Sequence, residues 1–298
     1  LYVVLDISGT MRGGALGDRK LDYAIELAAS LLRSALERGD QAGLISVDGR
    51  VVAHAPARAG LSHMAGLHEV LLGATEIIDP DLTEPTDDEV TMVVARYIRH
   101  QDGVDFRTPT GFDLDGLVRH AHGALAGEHE SRAASKPAIP SDPRVHVLRR
   151  FCRARGIELR YRPETRGAAK VHGLAQALRT AAGGSRVPRA IVMITDFDGV
   201  SDASVLESTV RMLRARQHAL SFIVPDAHSL LAPPASRLVS DLQLVYGLSE
   251  QRRAAEMRAI LYKLGVPLVV SKRRSAGAPL TLTNLVAAPA TPAFGDQA

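Results

Sequence analysis

Leu1-Tyr2-Val3-Val4-Leu5-Asp6-Ile7-Ser8-Gly9-Thr10 opens the chain. A short, valine-rich apolar run that ends in an aspartate and a glycine-bearing turn reads as a buried strand of a parallel sheet. The carboxyl end of such a strand is where open α/β sheets place their ligands. Asp6, Ser8 and Thr10 alternate along one turn and can aim three hard oxygens at one point. That is the ligand chemistry of Mg²⁺ or Mn²⁺.

A second apolar run repeats the pattern. Arg189 to Thr195 predicts a strand, and it ends in Thr195-Asp196-Phe197-Asp198-Gly199. In a parallel sheet both ends emerge on one edge, so Asp6 and Asp196 can meet there. The alternative is that the two aspartates only cap neighbouring helices and satisfy loop amides.

Around these strands the chain alternates strand and helix. Lys20 to Arg38 has helical apolar spacing, with Asp18 as cap and Gly39 closing the C-terminus. Ala42–Val47 predicts a strand, Asp48-Gly49 a hairpin turn and Arg50–Ala55 the returning strand. Leu61–Ala74 predicts a helix. Alternation resumes with a helix over Ala168–Ala182, the Arg189–Thr195 strand, a helix over Ser201–Arg216 and a strand over Ala219–Val224. A helix over Arg237–Leu264, broken at Gly247, and a strand over Val266–Val270 complete it. The fold class is α/β: a doubly wound, mostly parallel sheet with one antiparallel edge strand and helices on both faces.

The domain spans 1–78 and 167–272, interrupted by a helical insertion at 79–166 and followed by a flexible tail at 273–298. The insertion predicts helices near Asp87–Gln101, Asp113–Ala126 and Asp142–Arg155, with no strand before Ile157–Leu159. Thr86 and Glu89 have the spacing of a capping box. Gly127 to Pro140 is small, polar and proline-bearing, a linker.

Composition excludes several classes. Net charge is +3, too small an excess to argue for nucleic acid, and Trp is absent, so stacking platforms are few. The single Cys152 allows no internal disulfide; it reads as a buried, inert thiol in a reducing, cytoplasmic compartment. No run is long enough to span a membrane. The chain starts within a strand and without Met, which predicts a fragment whose membrane contact, if any, comes through a missing upstream region.

At Asp6-Ile7-Ser8-Gly9-Thr10 and Thr195-Asp196 the chain resembles a von Willebrand factor type A domain. More narrowly, Lys20-Leu21-Asp22-Tyr23-Ala24-Ile25-Glu26-Leu27-Ala28 and Gly39-Asp40-Gln41-Ala42-Gly43-Leu44 are similar to the bacterial domain-of-unknown-function family fifty-eight. The resemblance covers roughly 1–75 and 168–270. It implies a metal-ion-dependent adhesion site, with Asp6, Ser8, Thr10 and Asp196 holding Mg²⁺ or Mn²⁺, or no ion if the site is degenerate. It also implies protein binding without catalysis, as adaptor or assembly factor for a MoxR-type AAA+ ATPase.

Two departures stand out. Phe197 occupies a position where the family usually has Gly. The family's later Thr should open the helix at Ala168-Ala169-Lys170-Val171-His172-Gly173, which has no hydroxyl there. Thr165, Thr108 and Thr110 are the alternatives. A competing motif is Asp196-Phe197-Asp198-Gly199-Val200, which resembles the first motif of haloacid dehalogenase-like phosphatases. It would make Asp196 a nucleophile and Asp198 a general acid/base. Such an enzyme also needs a suitably placed lysine and a late acidic pair, and neither Lys263 nor Lys272 follows a suitable strand.

Overall fold

Alternate residues of the opening strand face opposite cores. Val3 and Leu5 join one apolar cluster, and Tyr2 and Val4 another. The strand is therefore central and covered on both faces, as its unbroken apolar run requires. The structure is a computed structural model and describes residues 1–14, 17–125, 139, 141–162, 167–183, 187–200, 202–230 and 234–272.

The first half contains β1 (Tyr2–Asp6), α1 (Lys20–Glu37), β2 (Ala42–Val47), β3 (Val51–Arg58) and α2 (Met64–Gly73). The middle contains α3 (Asp87–Asp102), a small hairpin of β4 (Arg107–Thr108) and β5 (Gly111–Phe112), α4 (Leu114–Ala124) and α5 (Pro143–Ala154). The second half contains α6 (Gly167–Ala182), β6 (Ala190–Ile194), α7 (Ser204–Ala215), β7 (Ala219–Pro225), α8 (Arg237–Lys263) and β8 (Leu268–Ser271).

The main sheet has six strands in the order β3-β2-β1-β6-β7-β8. Every neighbouring pair is parallel except β2–β3. α1 and α2 cover one face; α6, α7 and the last turns of α8 cover the other. Strand order runs outward in both directions from β1 and β6, so their carboxyl ends form a topological switch point, where such sheets bind. The register aligns Leu5 with Ile194, which brings Asp6 and the Thr195-Asp196 turn to one edge.

The segment between α2 and α6 has its own core. Val90, Val94, Ile98, Leu117, Leu148 and Phe151 pack together, apart from both sheet faces. The Thr86–Glu89 capping box forms, with Glu89 accepting from the Thr86 backbone and Thr86 Oγ1 accepting from Glu89 N–H. Entry and exit of this segment are zipped together: Glu84 N–H donates to Arg160 O at 2.8 Å and Arg162 N–H to Leu82 O at 2.9 Å. Buried Arg149 donates to Thr83 Oγ1, Pro85 O and Asp87 Oδ1, fastening α5 to the start of α3. Cys152 is buried in this core, and burial pushes its thiol up to about 11.

Several expectations need correction. α1 is capped at Arg19 through the Asp22 carboxylate, not by Asp18. Ile157–Leu159 forms no strand; pairing near it is a single bridge between Thr83 and Tyr161. The β4–β5 hairpin was not expected, because two-residue strands carry no readable period. α8 is continuous through Gly247: a helical glycine costs only about 1 kcal/mol relative to alanine, which long flanking turns outweigh. The linker at 127–140, except residue 139, and the tail at 273–298 lie outside the described residues.

Candidate functional site

Asp6 ends β1 fully buried. Its Oδ1 accepts from Ser8 N–H at 2.9 Å, and its Oδ2 accepts from the Thr195 hydroxyl at 2.6 Å. The Thr10 hydroxyl donates to Asp196 Oδ1 at 3.1 Å. With its proton committed there, Thr10 Oγ1 receives the Ser8 hydroxyl, 3.1 Å away. The four residues read from the sequence, Asp6, Ser8, Thr10 and Asp196, therefore form one connected cluster.

The turn after β6 is shaped for this contact. Phe197 has a φ of 56°, the left-handed region, and its ring is buried against Phe222 with centroids 5.7 Å apart. A non-glycine residue there carries a backbone cost of roughly 1–2 kcal/mol, and burial of the ring offsets it. The result aims Asp198 N–H at Asp196 Oδ1, 3.0 Å away.

A lysine enters from where the later hydroxyl was expected. Lys170, on the first turn of α6, is fully buried. Its ammonium lies 2.8 Å from Asp6 Oδ2, 2.7 Å from Asp196 Oδ1 and 3.0 Å from Thr10 Oγ1. A second lysine closes the outer side. Lys20 begins α1, and its Nζ donates to Asp196 Oδ2 at 2.5 Å, Glu250 Oε1 at 2.7 Å and the Tyr246 hydroxyl at 3.1 Å. The Tyr246 hydroxyl in turn donates to Glu250 Oε1 at 2.9 Å. Arg253 Nη1 donates to Asp198 Oδ1 at 2.6 Å. α8 is thus tied to α1 and to the β6 turn by three of its side chains.

Burial pulls the Lys170 ammonium down, but the carboxylates of Asp196 and Asp6 more than reverse this and hold it charged. Lys20 behaves likewise: burial lowers its pKa, and Asp196 with Glu250 raises it further. Burial raises the Asp196 pKa; Lys170 and Lys20 overcome that and hold it well below the usual carboxylate range.

Asp196, Asp198 and Glu250 each place one carboxylate oxygen within 4.8 Å of the others, a donor set that could hold a cation. The cationic groups there are the Lys20 ammonium, between Asp196 and Glu250, and the Arg253 guanidinium on Asp198. At the inner position Lys170 stands among the oxygens of Asp6, Thr10 and Asp196. As arranged, the donor set does not fit a divalent ion: lysine ammonium groups hold both Asp196 oxygens and Glu250 Oε1, and the Arg253 guanidinium holds Asp198 Oδ1.

Thr108 and Thr110 lie in the exposed β4–β5 hairpin and do not join the cluster; Thr165 lies outside the described residues. Sequence reasoning missed Lys20, Lys170, Tyr246, Glu250 and Arg253. One signal was available: in a chain whose cations are mostly arginine, Lys170 occupies the helix start where a hydroxyl was due. Nothing in this arrangement favours phosphatase chemistry. Both Asp196 oxygens accept from lysines and Asp198 Oδ1 accepts from Arg253, so these carboxylates serve as ion-pair partners in this arrangement.

No helix among the described residues is long and apolar enough to cross a membrane. No curated protein matches the chain. A family model of the von Willebrand factor type A domain matches residues 1–80, the span from β1 through the β2–β3 hairpin and α2. With its mostly parallel six-stranded sheet, one antiparallel pair and helices on both faces, the chain carries a von Willebrand factor A-like fold.

Proposed function

We propose that this chain is a protein-binding module that engages its partner through the first half of α8. One observation carries the reading. Leu238, Leu242, Leu244, Val245 and Leu248 are each more than half exposed, and at 3.6 residues per turn they share one broad face of the helix. Asp241 is the only charged residue between them. An apolar helix face of this kind is normally buried, and exposed apolar patches mark interaction sites. The fold is a protein-interaction type, which supports the same conclusion.

The resemblance in sequence names the partner to try first: a MoxR-type AAA+ ATPase, for which the chain acts as adaptor or assembly factor. A contact through Mg²⁺ or Mn²⁺ would have to use Asp6, Ser8, Thr10 and Asp196. Asp6, Ser8 and Asp196 are buried, and all four already have hydrogen-bond partners. α8 offers the accessible surface. Isothermal titration of the chain against such an ATPase, beside the triple variant Leu242→Glu, Val245→Glu, Leu248→Glu, tests this. The substitutions are exposed, so the circular dichroism spectrum stays unchanged while affinity falls at least about tenfold, the equivalent of about 1.4 kcal/mol. Equal binding by parent and variant rejects the α8 surface, and no binding by the parent rejects this partner.

A further inference from the structure

The two lysines have a stoichiometry of their own. An ammonium has three protons to donate. Lys170 spends them on Asp6, Asp196 and Thr10; Lys20 spends them on Asp196, Glu250 and Tyr246. Neither group is left with an unused donor. Together they deliver two positive charges to the sheet edge, the charge of one divalent ion.

Geometry separates the two kinds of cation. Mg²⁺ draws its oxygens to about 2.0–2.1 Å and Ca²⁺ to about 2.3–2.6 Å. Around Lys170 the oxygens stand at 2.7–3.0 Å, the spacing of charge-assisted hydrogen bonds. The lysine is also held in place from behind. A Cβ on Gly173, one turn further along α6, would overlap Asp48 O and lie 2.7 Å from Gly49 C, so the helix is seated directly on the β2–β3 turn. Val171 and Leu174 are buried beside it. With the helix fixed and the side chain fully buried, the ammonium can leave the site only by changing rotamer, which gives up all three of its hydrogen bonds.

We infer that Lys170 and Lys20 occupy the place and supply the charge of a divalent cation, so that the sheet-edge site is closed by tethered ammonium groups and binds neither Mg²⁺ nor Mn²⁺. The inference stands apart from the reading of α8 as a docking surface. It also goes further than a degenerate site, because it makes metal binding recoverable: replacing Lys170 by threonine restores the hydroxyl that α6 lacks and removes the charge that repels an ion.

The test is Mn²⁺ titration by calorimetry and by thermal unfolding on the full chain, on Lys170→Thr and on Lys20→Met. The parent shows no saturable Mn²⁺ binding and no shift in Tm up to millimolar ion. Lys170→Thr binds Mn²⁺ at least about tenfold more tightly than the parent and is stabilised by it; recovery of folded Lys170→Thr only in the presence of Mn²⁺ reads the same way. Lys20→Met, which leaves the inner lysine in place, opens the acidic group of Asp196, Asp198 and Glu250, and it decides the matter if Lys170→Thr does not fold at all. One-to-one Mn²⁺ binding by the parent that is lost in Asp6→Ala overturns the inference. So does the failure of both lysine variants to bind Mn²⁺.

Discussion

Replacing Lys170 by methionine keeps most of the buried stem and deletes only the charge. Three hydrogen bonds disappear at once, to Asp6 Oδ2, Asp196 Oδ1 and Thr10 Oγ1. The two carboxylates then fare differently. Asp196 retains Lys20 at 2.5 Å. Among the described residues Asp6 retains neutral donors, Ser8 N–H and the Thr195 hydroxyl. Removing one partner of a buried ion pair costs about 3–5 kcal/mol, because the other charge is left without compensation in a dry site. Asp6→Asn is gentler, since Lys170 keeps Asp196 and Thr10. The double variant Lys170→Met with Asp6→Asn removes both halves of the unpaired interaction. Its cost should fall short of the sum of the singles by roughly 2–3 kcal/mol, the upper part of the range for residues in direct contact.

Urea unfolding followed by far-ultraviolet circular dichroism reads this directly, which suits a chain without tryptophan. With a slope of about 3 kcal/mol per molar urea, a loss of 4 kcal/mol lowers the midpoint by about 1.3 M. A Lys170→Met penalty under about 1 kcal/mol, or a coupling under about 0.5 kcal/mol, would refute the placement of the ammonium between the two aspartates.

The same cluster sets a pH window. Asp196 is held below its ordinary 3.8, so its contribution is present above that value and is lost as pH falls further; Lys170 and Lys20 are held above 10.5, so theirs is complete below that value and is lost as pH rises through the folded values. The difference in urea midpoint between parent and Lys170→Met should be constant in the intervening range and shrink at both ends; a difference that persists unchanged at strongly acid pH contradicts the assignment. Gly173→Ala should destabilise by about 3 kcal/mol, at the upper end for overpacking, since the Cβ meets the backbone of Asp48 and Gly49, which cannot rotate away. A variant within about 1 kcal/mol of the parent would show that α6 does not sit on that turn.

Strands were legible where burial on both faces wrote them as continuous apolar runs. β1, β2 and β6 fall where their valine- and isoleucine-rich stretches end, and Asp48-Gly49 marks the hairpin. In the middle segment the Thr86–Glu89 capping box was legible, and the helices expected from Asp113 and Asp142 start directly after those residues, which the structure shows to be their caps. The site was half legible. Its aspartates announce themselves because a carboxylate directly after a core strand has few places to go. Its lysines do not. A lysine near a helix start ordinarily reads as solvated surface, and what buries Lys20 and Lys170 is a partner 176 and 26 residues away in sequence. Tyr246, Glu250 and Arg253 were hidden for a related reason: they belong to a helix whose distance from the strand edge depends on the path of the whole second half.

A tethered ammonium and a bound metal ion differ in what they leave open. A divalent ion with six positions can keep one for an oxygen from a partner. Lys170 has three protons and all three are used inside the domain. If the lysines hold the cation's place, the switch-point edge has no open metal position with which to grip a partner's oxygen, which shifts recognition toward a neighbouring element. α8 is the element that meets both requirements: its apolar first half is exposed, and its Tyr246, Glu250 and Arg253 are anchored to Lys20 and Asp198 at the edge. A partner that draws α8 away must break the Lys20–Glu250 and Arg253–Asp198 contacts and leave Glu250 and Asp198 without their cations. A partner that binds α8 where it lies breaks nothing. The ion cluster therefore favours docking onto a preset helix, which is the binding mode with the smaller ordering cost.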